Sequence, residues 1–309
     1  MQVYRHARGK FDTPIALTIG NFDGVHLGHQ AMLDRLSAVA RELAVPAAVM
    51  TFEPHPRELF TPDEAPARLT SLREKLDCLK QRSIDRVYVQ RFNLAFASIV
   101  PDAFVVDLLV KNLGIGWLLV GDDFRFGARR GGDYALLEQM AKRYEFQLEA
   151  MHSIEVAGER VSSTAVRAAL AEGDFPRAEK LLGRPYSMSG RVMHGEKLGR
   201  KLGFPTANIA LKRRRAPLTG IFAVKLHGIG VVALPAVASL GVRPTVMANG
   251  TPMLEVHVLD FNADMYGRHV TVEFLHKLRD EEKYEDLNRL RQQIQRDVDQ
   301  ARHYLNSHV

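Results

Sequence analysis

The sequence predicts an α/β protein in two parts: a doubly wound parallel sheet, then an antiparallel β-barrel closed by a C-terminal helix. Three observations predict it. The chain has 309 residues, more than one hydrophobic core usually serves, so two domains are expected. Up to about residue 182, apolar runs alternate with helical patterns, as βαβ units do. Beyond it, short apolar runs follow one another with turn signals between them, the mark of antiparallel β-structure. The composition shifts at Gly183–Tyr186, which sets the expected domains at 1–182 and 183–309.

In the first part, strands are expected at Ile15–Gly20, Ala47–Phe52, Arg86–Gln90, Trp117–Asp122 and Phe146–Met151. Helices are expected near His29–Glu42, Ser71–Gln81, Pro101–Lys111 and Asp133–Tyr144. The first of these carries Met32, Leu33, Leu36, Val39, Ala40 and Leu43 at three- and four-residue spacing. In the second part the runs are "YSMSGRVMHG", "FPTANIAL", "GIFAVKLHG", "IGVVALPAVASLG", "MLEVHVLDF" and "RHVTVEFLHKL". A final helix from about Glu282 to Tyr304 should lay Leu287, Leu290, Ile294 and Val298 against the barrel.

Composition narrows the function classes. The opening "MQVYRHARGKFD" has no apolar segment of signal-peptide length, and no run reaches a membrane span. The single cysteine, Cys78, excludes a disulfide framework and fits a cytoplasmic chain with a buried thiol. The net charge of +6 favours anionic partners. Its densest run is Lys212–Arg215, followed by "GEKLGRKLG" and "FGARRGGDY", none interleaved with aromatics. No helix-turn-helix or zinc-finger spacing is present, so small anionic ligands rather than nucleic acid are expected.

The stretch "GNFDGVHLGHQAML" joins the first strand to the first helix, at the edge where parallel sheets bind ligands. Gly20, Gly24 and Gly28 permit a tight backbone, and N–H groups at the helix start favour phosphate. His26 and His29 can both face such an anion; the competing reading makes them a cap and an ordinary first-turn residue. The glycines form neither a Walker A loop nor a dinucleotide fingerprint, and a three-residue His spacing with Asp23 does not assemble a zinc site. In "ERVSSTAVRAALAEGDF", Ser162 or Ser163 can cap a short helix that carries Arg167 one turn in. Hydroxyls, helix N–H groups and a guanidinium there suit a polyphosphate; a plain cap with a solvated arginine is the alternative.

Together "GNFDGVHLGH" and "VSSTAVR" resemble the nucleotidyltransferase superfamily of cytidylyl- and adenylyltransferases and class I aminoacyl-tRNA synthetases. With "TFEPHP" at 51–56 and "VGDDFRFGARRGGD" at 120–133, residues 10–182 resemble the adenylyltransferase module of bacterial bifunctional FAD synthetases. The resemblance implies adenylyl transfer from ATP to FMN. It assigns His26 and His29 to the triphosphate, Ser162, Ser163 and Arg167 to the leaving pyrophosphate, Asn21 to the α-phosphate, and His55 to the phosphates' vicinity. Asp123, Phe124 and Phe126 fall on the flavin side, with core packing the competing reading for both phenylalanines.

In the second part, Gly195, Gly199 and Gly203 space out basic residues before a strand on which Thr206 and Asn208 share a face. A hydroxyl and an amide oxygen so placed can hold magnesium with phosphate and water, although polar strand residues are common. Glu255 alternates with Leu254 and Val256, and could act as a general base or be a solvated edge residue. "GRKLGFPTANI", "GVRPT" at 241–245, "LEVHVLDF" at 254–261 and "MYG" at 265–267 resemble riboflavin kinase over about 183–306. That family implies a six-stranded antiparallel barrel, Thr206 and Asn208 on magnesium and nucleotide phosphate, and Glu255 as base for the ribityl hydroxyl. It also implies an ATP-side flap from Gly195, including Gly199, to Phe204, and Arg279 on the flavin side. The chain departs from the family pattern at Val246, at Ala263 in "FNADMYG" and in the basic "LKRRRAP".

The implied function is bifunctional, riboflavin to FMN and FMN to FAD, with ATP as co-substrate and Mg2+ as cofactor. A flavin adenylyltransferase with a weakened kinase half and a nucleic-acid-binding regulator on an inherited fold are the competing readings. The expected partners are small flavins and nucleotides, with no membrane and a monomer or weak homo-oligomer.

Overall fold

The computed structural model describes residues 1–7, 13–194, 199, 202–242 and 252–308. Gly195 and Val246 lie outside the described residues. The chain forms two compact units, Met1–Pro66 with Leu72–Ser162, and Ala67–Ser71 with Ser163–Val309.

The first unit contains β1 (Gln2–Arg5), β2 (Ile15–Ile19), α1 (Leu27–Glu42), β3 (Ala47–Glu53) and α2 (Pro56–Phe60). It continues with α3 (Leu72–Gln81), β4 (Arg86–Arg91), α4 (Leu94–Ala97), α5 (Pro101–Ala103) and β5 (Ile115–Gly121). α6 (Tyr134–Tyr144), β6 (Gln147–Met151) and the small hairpin β7 (Glu155–Val156) and β8 (Glu159–Arg160) complete it. The main sheet has the order β1-β4-β3-β2-β5-β6, with every pair parallel. β2 is buried along its whole length because helices cover both sheet faces. Ile15, Leu17 and Ile19 enter one core with Met50 and Leu118, while Ala16 points to the other with Val49 and Leu119. Cys78 is half-buried against the second core.

The edge strand β1 and the segment after Val100 depart from the sequence reading. β1 pairs with β4 as an edge strand in a segment where no strand was expected. The helix expected over 101–111 is an α-turn that continues as π-helical turns over Phe104–Asn112, ending with Leu113 N–H donating to Leu108 O, five residues back, at 3.1 Å.

The second unit begins with α7 (Ser163–Glu172) and α8 (Phe175–Leu182). Six antiparallel strands then close a barrel in the order β10-β13-β12-β11-β14-β9: β9 (Ser187–Met193), β10 (Ala207–Ala210), β11 (Gly220–His227), β12 (Leu234–Val242), β13 (Pro252–Val258) and β14 (His269–Arg279). α9 (Leu287–His308) packs on it. By compactness α7 and α8 fall with the barrel, the division lying at Ser162/Ser163, and the aromatic core supplies the reason. Phe175 of α8 lies parallel to Phe274 at 6.3 Å and edge-on to Phe222 at 5.9 Å, inside the barrel's own cluster.

Leu287 corrects the expectation for the last helix. It is the first residue of α9 and stays exposed, while Ile294, Val298, Ala301 and Leu305 make the packed stripe. The basic run at 212–215 is also not a uniform solvated face. Arg213 is buried and donates to the carbonyls of Arg68 and Leu69 and to the Tyr186 hydroxyl, at 3.1–3.2 Å.

Phe274 is 1% exposed and meets Phe222 edge to face at 5.3 Å. Phe274→Ala should therefore destabilise the barrel by about 3–5 kcal/mol, read as a lowered midpoint in chemical denaturation.

Candidate functional site

The chain leaves β2 at Ile19 and enters α1 at Leu27 through a strained turn. Phe22, Gly24 and Val25 have φ of 47°, 81° and 41°. Positive φ at a β-branched valine is costly, and burial of Phe22 and Val25 holds it in place. His26 is the N-cap of α1, and its Nδ1 accepts the His29 N–H at 3.3 Å. A neutral His26 in this role carries its proton on Nε2. The two imidazoles stack 3.7 Å apart and 16° from parallel. A Cβ at Gly28 would lie 3.2 Å from the His26 ring, which explains the small residue between them. The capping reading of His26 is thus correct, and that cap takes up one N–H expected for an anion.

Two buried polar atoms of this turn, Asn21 Oδ1 and His29 Nδ1, have no hydrogen-bond partner. Burial holds the His29 pKa well below its ordinary value, and the nearby His26 and Lys75 lower it further. The ring is therefore neutral near pH 7 and can donate or accept one proton. Lys75, in the first turn of α3, is buried and donates from Nζ to Thr51 Oγ1 at 3.1 Å. Thr51 Oγ1 in turn donates to the Asn21 carbonyl at 3.2 Å. Sequence reasoning did not single out Lys75. The available signal was a lysine on the apolar stripe Leu72, Lys75, Leu76, Leu79.

From β2 the chain winds outward to β3 and β4, and from the neighbouring β5 it winds the other way to β6. The crevice between β2 and β5 is therefore the topological switch point, where such sheets bind ligands. Asn21 follows β2 and Asp123 and Phe124 follow β5, so these expected residues flank it. His55 follows β3 at the same sheet edge, where it caps α2, its Nδ1 accepting the Arg57 N–H at 3.2 Å. Asp123 is exposed and lies 3.5 Å from Arg160. Phe124 is half-buried and stacks on Phe126 at 5.7 Å. Phe126 itself is a core residue: it is 4% exposed, packs on Phe104, and a Cβ at Gly132 would lie 2.5 Å from its ring. It supports Phe124 rather than offering a face. Phe60, unremarked in the sequence, is 58% exposed at the end of α2 and meets Phe92 edge-on.

Ser162 closes the first unit, and Ser163 opens α7 in the second. Arg167, one turn in, donates from Nε to the Ala67 carbonyl at 2.6 Å.

In the barrel, a cleft of about 940 Å³ is lined by Phe204, Thr206, Asn208, Ser239, Glu255 and Arg279, among others. Asn208 faces Glu255 in register across β10 and β13, and Ser239 faces Glu255 across β12 and β13. Thr206 immediately precedes β10 rather than lying within it. A Cβ at Gly199 would sit 2.4 Å from the Phe204 carbonyl oxygen and 3.2 Å from Thr206 Oγ1, so only glycine lets the chain pass there. His257 Nδ1 lies 2.9 Å from the Pro205 carbonyl, fixing the same approach.

Arg279 ends β14 and makes a two-bond pair with Asp297 of α9 at 2.8 and 2.7 Å. Asp297 is 2% exposed and also accepts from Gln293 at 2.9 Å. The Ser239 hydroxyl donates to Glu281 at 3.3 Å. Ser239, Glu281 and Asp297 escaped the sequence reading; an acid beside Val298 on the packed stripe of α9 was the one visible sign. Among the described residues no group of three or more His, Cys, Asp or Glu side chains could hold a metal. A divalent ion in the cleft would rest on the Thr206 and Asn208 oxygens, completed by phosphate and water, a hard-oxygen set that suits magnesium.

The family model for FAD synthetase matches residues 9–165, and that for riboflavin kinase matches 182–305. The bifunctional riboflavin kinase/FMN adenylyltransferase of Escherichia coli K12 is 49% identical over 93% of this chain and 92% of its own. That of Pseudomonas fluorescens is 50% identical over 92% and 91%. A crystal structure from Streptococcus pneumoniae, described as a macrolide-efflux protein, superposes with a TM-score of 0.78 at 28% identity, covering 97% of this chain and 98% of that one. No helix among the described residues is long and apolar enough to cross a membrane. With both family models matching in chain order and near-half identity along most of its length, the chain belongs to the bifunctional riboflavin kinase/FMN adenylyltransferase family.

Proposed function

We propose that the two activities of this family are divided between the two clusters: riboflavin phosphorylation in the Glu255 cleft, and adenylyl transfer to FMN at the His26–His29 turn. The observation that carries this reading is that the His26–His29 turn lies in the first compact unit and within the FAD synthetase match, and the Glu255 cleft in the second unit and within the riboflavin kinase match.

In the cleft, Glu255 accepts the proton of the ribityl hydroxyl as that oxygen attacks the γ-phosphorus of ATP and ADP leaves. Asn208, directly opposite Glu255, and Thr206 would hold magnesium and nucleotide phosphate. Magnesium held there would neutralise phosphate charge during the transfer. Gly199 lets the chain approach Phe204 and Thr206 closely on the nucleotide side. Arg279, oriented by Asp297, lies on the flavin side.

At the turn, an FMN phosphate oxygen attacks the α-phosphorus of ATP and pyrophosphate leaves, with no covalent enzyme intermediate. The protein aligns phosphates and meets developing charge. His26 Nε2 and the neutral His29 ring serve the triphosphate, Asn21 the α-phosphate, and Ser162, the last residue of the same unit, the leaving pyrophosphate. His55 stands near the phosphates, and Phe124 with Asp123 on the flavin side. We read the protein as cytoplasmic and monomeric or weakly associating, taking small flavins and nucleotides and not nucleic acid. The buried setting of Arg213, which removes one charge from the densest basic run, supports that reading.

Glu255→Gln should abolish FMN formation from riboflavin and leave FMN-to-FAD conversion at its wild-type rate. His29→Ala should do the reverse, with FMN accumulating; chromatography of the products reads both. Equal loss of both steps in either variant would contradict the division. Gly199→Ala, whose Cβ meets a backbone oxygen, should lower kinase kcat/KM about tenfold or more and spare adenylyl transfer in the same assay.

A further inference from the structure

We propose that Lys75 is a positioning residue of the adenylyl-transfer site: from α3 it holds the Asn21 turn through Thr51 and supplies a fixed positive charge beside the His29 ring. The inference rests on the reading of the His26–His29 turn as that site.

A lysine is rarely buried, because removing its ammonium from water is expensive unless the surroundings compensate. Lys75 is 6% exposed nonetheless, in the first turn of α3, with its Nζ 3.1 Å from Thr51 Oγ1. Thr51 is fully buried near the C-terminal end of β3, and its hydroxyl passes the contact on to the Asn21 carbonyl at 3.2 Å. Lys75 thus reaches, through a single side chain, the backbone of the residue whose Oδ1 is buried without a partner. Around His29, His26 stacks on it from the cap and Phe22 tilts against it at 5.0 Å; Asp23 is the buried carboxylate of the same turn and Lys75 the buried cation on α3.

Adenylyl transfer brings together two polyanions, so a permanent charge already in place needs no reorganisation as the new bond forms. The same charge opposes protonation of His29. Without it, the His29 pKa rises toward the ordinary 6.5, the ring charges at a higher pH, and neutral His29 is lost earlier as pH falls.

The test compares full-length Lys75→Met and Lys75→Arg with wild type, using FMN, ATP and magnesium across the acid limb, with the His29 ring followed by NMR titration. Lys75→Met should lower adenylyl-transfer kcat/KM about tenfold at neutral pH. It should also move the acid limb and the His29 titration to higher pH, and leave riboflavin phosphorylation unchanged. Lys75→Arg, which keeps the charge, should restore most of the rate and the original limb. An unmoved limb and unmoved titration in Lys75→Met, or a Lys75→Arg variant as impaired as Lys75→Met, would overturn the assignment. His29→Ala separates the two levels: wild-type adenylyl transfer in that variant sinks the reading of the turn itself. Loss there with a wild-type-like Lys75→Met sinks only the role of Lys75.

Discussion

The parallel pairing of β2 with both β3 and β5 is the constraint on which the first unit's chemistry depends. It sends the loops after all three strands to one sheet edge, and the reversal of strand order between β2 and β5 opens the crevice there. Strain at Phe22 and Val25, the stacked imidazoles and the orphaned atoms of Asn21 and His29 all occur at that edge. None of them is stable alone. The turn is held by the two buried cores on either face of β2 and by the contact that runs from Lys75 through Thr51.

The barrel solves a similar problem by register instead of topology. Antiparallel pairing brings Asn208, Glu255 and Ser239 side by side on three successive strands, so one face of β13 sees both a neutral amide and a hydroxyl. The alternate residues Leu254, Val256 and Val258 are buried. A one-residue slip would exchange the two sets, so the core that stabilises the barrel also fixes the carboxylate. Arg279 is held in the same spirit, by Asp297, a buried partner on α9 that also lines the cleft.

Much of this was legible in the sequence because it is periodic or local. The runs from Ile15 and Ala47, the helix through Leu33 and Leu36, and the alternation about Glu255 each carry their own pattern, and the structure places them accordingly. What was not legible is tertiary. β1 is an edge strand with little buried surface to write a pattern. Arg213 looks like surface charge until the carbonyls of Arg68 and Leu69 are brought to it from far along the chain. Lys75 and Asp297 are charges on apolar stripes, where their partners on other elements decide their meaning. The resemblance set Phe126 on the flavin side with core packing as the competing reading, and its packing against Phe104 and Gly132 shows that its faces are occupied.

If each site is complete for its own step, as proposed, the two activities can be supplied by different molecules. The most direct measurement mixes Glu255→Gln with His29→Ala and supplies riboflavin, ATP and magnesium. Neither variant alone should make FAD, whereas the mixture should, since FMN released by the intact kinase site of one molecule reaches the intact adenylyl-transfer site of the other. A mixture that makes no FAD, although each variant retains its own half-reaction, would contradict the claim that the two sites work independently.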